Sequence, residues 1–307
     1  MGVLDHAGDI GPLQVMDPGT QFLFTETSTP YVARIPSAYV EGEWGLVYQV
    51  PVIQGAGQCG TSYAGEPGFT FQDESPVPES TAADRAACER YPELASLIQR
   101  YGWQYWHFVA ETLPRAALLV PLLGPDTKVL VWGSPWEAGF FARLGISADR
   151  LVTYEPSKVY CAGTLLFPTP TPRITPPREA LALTRTALGA EPPLPAEERD
   201  LIVWCSRADQ EVRRVMNERP ILSALKAAFP NETIITFESS EGLSVSQTVN
   251  IFRRAKLVLG PHGAGLSHII FSGPGASVIE FSFLRAPPMM FCKWPVAREG
   301  SASCCSV

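Results

Sequence analysis

Short apolar runs alternate with amphipathic stretches along most of this chain. That alternation limits the fold more than any other feature. "KVLVWG" (128–133), "DLIVWCS" (200–206), "TIITFE", "KLVLG" (256–260) and "ASVIEF" (276–281) read as buried strands. "WEAGFFARLG", "REALALTRTALG", "RPILSALKAAFP" and "SVSQTVNIFRRA" lie between them and read as helices. Strands that are apolar on both faces and separated by helices build parallel sheets covered on both sides. "RLVTY" and "VYCAGTLLFPTP" add two strands to the earlier block, and "GEWGLVYQVPVI" is the best strand run before residue 80. Residues 84–101 are expected to form a helix, and "ASVIEF" to be the last strand. A Pro-rich hinge, "PTPTPRITPP" (168–177), separates two such blocks. The expectation is an α/β chain of two Rossmann-like domains facing a cleft, residues 1–175 and 176–307.

Composition removes several function classes. The 307 residues are 46% hydrophobic, enough for a large core. With 24 Lys+Arg against 31 Asp+Glu and no basic block, nucleic acid is not an expected partner. No apolar run approaches the length of a membrane span. "MGVLDHAGDIGPLQV" has neither the basic nor the apolar region of a signal peptide. None of the seven cysteines forms Cys-x-x-Cys, so a zinc site is not expected, and their odd number rules out a complete intrachain disulfide set. Asn231-Glu232-Thr233 fits the N-glycosylation pattern.

Three segments carry candidate chemistry. The first is "LVLGPHGAGLSH" (257–268), which holds two of the chain's four histidines. It follows a strand and opens a helix, where ligands of such sheets bind. Gly263 and Gly265 allow close backbone approach, and the N–H groups at the helix start favour an anion. His268 stands where the dinucleotide fingerprint needs its third glycine, and the Lys-Ser/Thr ending of a P-loop is missing. Alone, the loop fits a tight turn around a core histidine equally well.

The second segment, "CSRADQEVRRVMNE", also follows a strand. It offers Arg207, Arg213, Arg214 and Asn217, and arginine's planar fork suits phosphate oxygens. Its bland reading is a solvated helix face. The third is "YWHFVAETLPR". His107, Glu111 and Arg115 are spaced four apart and share a helix face, although Pro114 is expected to kink or break that helix. A histidine beside a carboxylate can act as an oriented general base, or the cluster can simply brace a helix.

Taken in order, the three segments resemble glycosyltransferase family 61. That family includes plant xylan arabinosyl- and xylosyltransferases and animal enzymes that add O-linked N-acetylglucosamine. The resemblance rests on "HFVAETLPR" (107–115), "SR…RRVMNE" (206–218), "GPHGAGLSHIIFS" (260–272) and "VIE" (278–280). It implies a GT-B fold with the donor bound mostly by the second domain. It also implies an inverting, metal-independent transfer from a UDP-sugar to a hydroxyl of a glycan or glycoprotein, with no cofactor besides the donor. Leaving-group charge then falls to Arg207, to Arg213 or Arg214, and to the amides of Gly263, Ala264 and Gly265. Asn217, Arg115 and Glu280 join the substrate-binding set, with Glu280 bonded to the donor ribose or sugar. The base is either His107 with Glu111 or His262, while His268 is structural.

The resemblance also implies the Golgi or ER lumen, although a chain read without signal or anchor leaves the cytoplasm open. Only 27 residues follow Glu280, fewer than the family usually has, which raises the alternative of a C-terminally truncated, non-catalytic relative that binds UDP or glycan weakly or serves as a scaffold. A nicotinamide or methyl-donor enzyme ranks last, because neither "VWGSPWEAG" nor "VWCSRADQE" supplies a fingerprint glycine loop.

Overall fold

The computed structural model describes residues 15–16, 32–42, 45–49, 61–62, 80–169, 171, 176, 178–238, 242–282 and 302–306. Most of the Pro-rich hinge lies outside them. The chain forms a mixed α/β structure with two sheets. It divides into two compact units, Met1–Arg173 and Ile174–Val307.

The first unit holds strands β1 (Val15–Met16), β2 (Val32–Glu41), β3 (Leu46–Gln49), β4 (Thr61–Ser62), β5 (Glu89–Ser96), β6 (Lys128–Val131), β7 (Leu151–Thr153) and β8 (Tyr160–Pro168). They join in the order β4-β3-β2-β8-β5-β6-β7, with β1 beside β2. The expectation of a purely parallel sheet is corrected here. β5, β6, β7 and β8 are parallel neighbours, but β2 runs antiparallel to both β8 and β3, and β3 to β4. Read from the far edge, the parallel block runs β7-β6-β5-β8. That is the strand order of a nucleotide-binding half, in which the winding reverses between its first and fourth strands. The reversal point is β5/β8. Leu94, Leu130, Ile35, Tyr160 and Leu165 form the core on one face of this sheet.

The expected helix over 84–101 is also corrected. Only Ala82–Ala86 (α1) is helical, capped by a reciprocal Thr81–Asp84 box, and the chain then enters β5. "ERYPELAS" alternates in burial before becoming fully buried, and its pairing with β8 and β6 overrides its local helix propensity. Cys88, just before β5, and Cys161, in β8, form a disulfide with Cα atoms 5.9 Å apart.

Further helical elements of the first unit follow. α2 (Tyr105–His107), a π-turn (Phe108–Thr112) and α3 (Leu113–Leu119) follow one another without interruption, and α4 (Glu137–Arg143) follows β6. Pro114 does not break the run. It sits in the first turn of α3, directly after the π-turn, whose wider loop takes up the missing N–H.

The second unit holds helices α5 (Arg178–Ala187), α6 (Glu218–Ala228) and α7 (Val245–Arg253), and strands β9 (Leu201–Cys205), β10 (Thr233–Phe237), β11 (Ala255–Pro261), β12 (Ser277–Ser282) and β13 (Ala302–Ser306). All pairings are parallel, in the order β10-β9-β11-β12-β13. This is a doubly wound order, second-first-third-fourth-fifth, with its reversal between β9 and β11. β13 lies beyond "ASVIEF", so that run is not the last strand. β9 is buried along its whole length, as an interior parallel strand must be. Ile221, Leu222 and Leu225 of α6 recur at helical spacing and cover Ile202, Trp204 and Leu259. α7 starts at a Ser244–Gln247 capping box and buries Thr248, Val249 and Phe252.

The Cys88–Cys161 bridge closes a loop with a sequence separation of 73. Replacing both cysteines by serine should lower the unfolding free energy by about 2–4 kcal/mol, read from urea denaturation without reductant. An unchanged midpoint would show that the bridge does not constrain the unfolded chain.

Candidate functional site

Each reversal point carries one candidate cluster at the carboxyl ends of its strands. Such crevices are where open α/β sheets bind ligands.

In the first unit the centre is Arg115, which is only 1% exposed. Its guanidinium donates to the carbonyls of Ser96, Leu97 and Ile98 at the end of β5, at 3.3, 3.2 and 3.4 Å. Its Nε donates to the Pro168 carbonyl at the end of β8, at 3.4 Å. The Phe167 ring lies 5.4 Å from its charge. Burial pulls its pKa down to about 10, against the pull of Glu111, so it stays charged at neutral pH. The guanidinium anticipated on a substrate is instead an internal clamp on two strand ends.

Gln99 links this clamp to the histidine, a role sequence reasoning did not assign. Arg115 Nη1 donates to Gln99 Oε1 at 3.0 Å, and Gln99 Nε2 donates to Glu111 Oε2 at 2.8 Å. A cation on one side and a carboxylate on the other fix which end of the amide points where. Glu111 Oε1 in turn lies 2.9 Å from His107 Nδ1. A carboxylate on Nδ1 holds the proton there and leaves Nε2 as the basic nitrogen of the neutral ring. Glu111 lies within the π-turn, and Thr171 Oγ1 donates to its backbone carbonyl at 3.3 Å. No sequence signal short of the fold places Gln99 here, because it reaches Glu111 and Arg115 from the loop after β5.

The loop after β6 braces the same region. Trp132 Nε1 donates to the Gln99 carbonyl at 3.1 Å, and the Glu137 carboxylate accepts from Gly133 N–H at 2.8 Å. Burial raises the Glu137 pKa to about 7.

In the second unit, His262 follows β11 and its Nδ1 lies 2.6 Å from Glu280 Oε1. Strand register explains the contact. Gly260 pairs with Glu280, which brings a residue two positions further on over the carboxylate. The Glu280 side chain has no exposed surface, whereas the sequence reading had it bonded to a donor. It faces His262 instead, which gives two histidine–carboxylate pairs among the described residues.

Arg207 crosses above Gly263. A Cβ at Gly263 would lie 2.5 Å from Arg207 Nη1, so glycine here is the condition for that approach. Arg207 Nε donates to the Val212 carbonyl at 3.3 Å. Burial and the neighbouring Arg213 lower the Arg207 pKa, with Asp209 opposing. Arg213 thus stands near enough for its charge to act on Arg207. Arg213 also adopts a positive φ of 60°, a left-handed conformation that costs a non-glycine residue energy and clusters at ligand sites. Arg214 and Asn217 stand exposed in the same loop, and Asn217 precedes α6 without a side-chain cap bond. Ser206 Oγ donates to Glu218 at 2.9 Å and accepts from Ala208 N–H at 3.1 Å, which shapes the loop's start.

Ala264 and Gly265 open a 3-10 helix, Ala264–Phe271, whose first N–H groups have no partner within the helix. His268, inside it, bonds the Gly265 carbonyl and stacks on Phe252. Burial drives its pKa down to about 4. Among the described residues, no group of three or more His, Cys, Asp or Glu side chains forms a metal-ligand set.

A doubly wound sheet with Arg207 over a glycine turn, and a second parallel block with an oriented histidine, define an α/β protein with one candidate cluster in each unit. The sequence profile described as Glycosyltransferase 61 matches residues 105–279, more than half of the chain and most of both clusters. The chain belongs to that family and is thereby a glycosyltransferase. No curated protein matches it.

Two outcomes test the geometry. Gln99→Leu removes one acceptor from Arg115 Nη1 and one donor from Glu111 Oε2, and should cost about 1–3 kcal/mol of unfolding free energy, read by urea denaturation; a change below about half a kilocalorie per mole would mean the amide link is dispensable. His268 generates a pH slope. Its folded pKa of about 4 lies below the ordinary 6.5, so between those values the unfolded chain binds a proton that the folded chain refuses. Stability is therefore lost as pH falls through that window, by up to about 3 kcal/mol. Glu137 acts with the opposite sign, because its raised pKa makes stability fall as pH rises from 4.5 to about 7. Comparing wild type with His268→Gln cancels the Glu137 contribution. The difference in unfolding free energy should change across pH 6.5 to 4, and a constant difference would reject the assignment.

Proposed function

We propose that the protein is an inverting, metal-independent transferase that moves a sugar from a UDP-sugar to a hydroxyl of a glycan or glycoprotein. In this reading each unit is one domain of a GT-B-type enzyme. The second unit binds the donor and the first the acceptor. The observation that carries the reading is Arg207, held over Gly263 at the β9/β11 reversal point, with Arg213 in the same loop. Fixed positive charge at that place suits a departing diphosphate without a bridging cation. Arg214, Asn217 and the amides of Gly263, Ala264 and Gly265 complete the donor set.

The acceptor oxygen attacks the anomeric carbon as the bond from that carbon to the diphosphate oxygen breaks. The hydroxyl proton passes to His107 Nε2, and the leaving charge falls on the arginines. His107 is preferred as base because Glu111, Gln99 and Arg115 hold it from behind. His262, held by Glu280, orients the donor. The Cys88–Cys161 disulfide and the exposed Asn231 of the glycosylation pattern support an oxidising lumen, Golgi or ER. No described helix is long and apolar enough to cross a membrane.

Thermal-shift titration with UDP tests the donor site. A ligand that binds only the folded state raises its melting temperature as concentration rises. The shift should persist in EDTA, vanish in Arg207→Ala, shrink in His262→Ala and remain intact in His107→Ala, whose sugar transfer should fall by about 10²-fold or more. No shift in the folded wild type would overturn the donor assignment. Undiminished transfer by His107→Ala would move the base to His262.

A further inference from the structure

The five residues Gln99–Trp103 make a strained turn beside His107. Tyr101 has a φ of 61°, a left-handed conformation that is a true outlier for a bulky aromatic residue. The surroundings enforce it. Gln104 N–H donates to the Tyr101 carbonyl at 2.8 Å, and Gly102 N–H to the Gln99 carbonyl at 3.1 Å. A side chain at Gly102 would collide with Trp132, since its Cβ would lie 2.5 Å from Trp132 Nε1. Strain that is over-determined in this way clusters at ligand clamps.

The strain sets the Tyr101 ring beside the base and Trp103 beside that ring. The Tyr101 ring lies 5.3 Å from the His107 ring and 5.7 Å from Trp103. The Arg100 guanidinium sits 4.9 Å from the Tyr101 ring centre. Trp103 packs edge-on to Trp132 at 4.9 Å, yet 38% of it stays exposed. Exposed large apolar side chains are scarce among the described residues, and this one sits within one ring of the His107 pair. An aromatic face left partly open near a base suits a partner with apolar faces and hydroxyl edges. A pyranose ring has both, because its axial C–H groups pack on an aromatic face while its hydroxyls bond at the rim.

We propose that Tyr101 and Trp103 form an acceptor subsite that stacks a neutral pyranose ring, so that the acceptor is a glycan rather than a bare protein side chain. This rests on the transferase reading for its orientation, but the binding itself does not depend on turnover. The strained backbone of Tyr101 aims its ring between the base and the exposed indole. A sugar stacked there presents a hydroxyl towards His107.

The test is binding without donor. Xylohexaose, cellohexaose and mannohexaose are titrated separately against the full chain, with saturation-transfer NMR and tryptophan fluorescence as readouts. At least one should bind. Trp103→Ala should weaken it by about ten-fold, and Trp103→Phe should retain most of it. Tyr101→Gly removes the ring and relieves the strained φ, so it should fold with a melting temperature close to wild type and still lose binding. Failure of all three hexasaccharides to bind, or equal binding by wild type, Trp103→Ala and Tyr101→Gly, overturns the subsite. Hexasaccharide binding through Trp103 with no sugar transfer would keep the subsite and reject the transferase reading. Transfer to a hexasaccharide with an unchanged KM in Trp103→Ala would do the reverse.

Discussion

One buried guanidinium organises the first unit. A charge taken out of water is costly unless hydrogen bonds surround it. Arg115 meets that condition only where strand carbonyls converge, at the ends of β5 and β8. The place where the sheet reverses its winding is thus also the place where this side chain can exist. Once the charge is fixed, the rest follows by hydrogen-bond polarity. The amide of Gln99 can point only one way between a cation and a carboxylate. Glu111 is then held as an acceptor, and His107 is held by Glu111. The chain of contacts runs from backbone carbonyls to an imidazole without a freely rotating member.

The second unit reaches a similar end by another route. There the register of β11 and β12 sets Glu280 under His262, and the missing side chain of Gly263 lets Arg207 close over the turn. The two units also share a signature of constraint. Tyr101 and Arg213 are two of only three non-glycine residues with positive φ among the described residues. Each stands within a few residues of a candidate cluster, where backbone energy has been spent on aiming a side chain rather than on relaxing it.

The sequence made some of this legible and hid the rest for physical reasons. The strands of the second unit were visible because interior parallel strands are continuously apolar, as "LIVWC" is. The three motif segments were visible because their residue types are unusual together. β5 is hidden in the sequence because "ERYPELAS" is charged and carries Glu, Leu and Ala, which locally favour a helix. Only its neighbours on both sides make it a strand. The antiparallel half of the first sheet was likewise a matter of long-range pairing. Arg115 and Glu280 are conspicuous charges in the sequence, but burial depends on the folded surroundings, which spacing along the chain does not report. Gln99 and Trp132 reach the cluster from separate loops and left no local trace.

The disulfide at Cys88–Cys161 ties β5 to β8 near their amino ends, and Arg115 ties the same two strands at their carboxyl ends. A covalent rivet at one end and a charged one at the other turn the strand pair into a beam that can neither slide nor splay. Everything mounted on its far tip, the glutamine, the glutamate and the histidine, inherits that stiffness. Adaptation to different partners is therefore left to the turn that overhangs the tip. Sequence drift among homologous chains can be expected to concentrate in that turn, while the beam beneath it stays put.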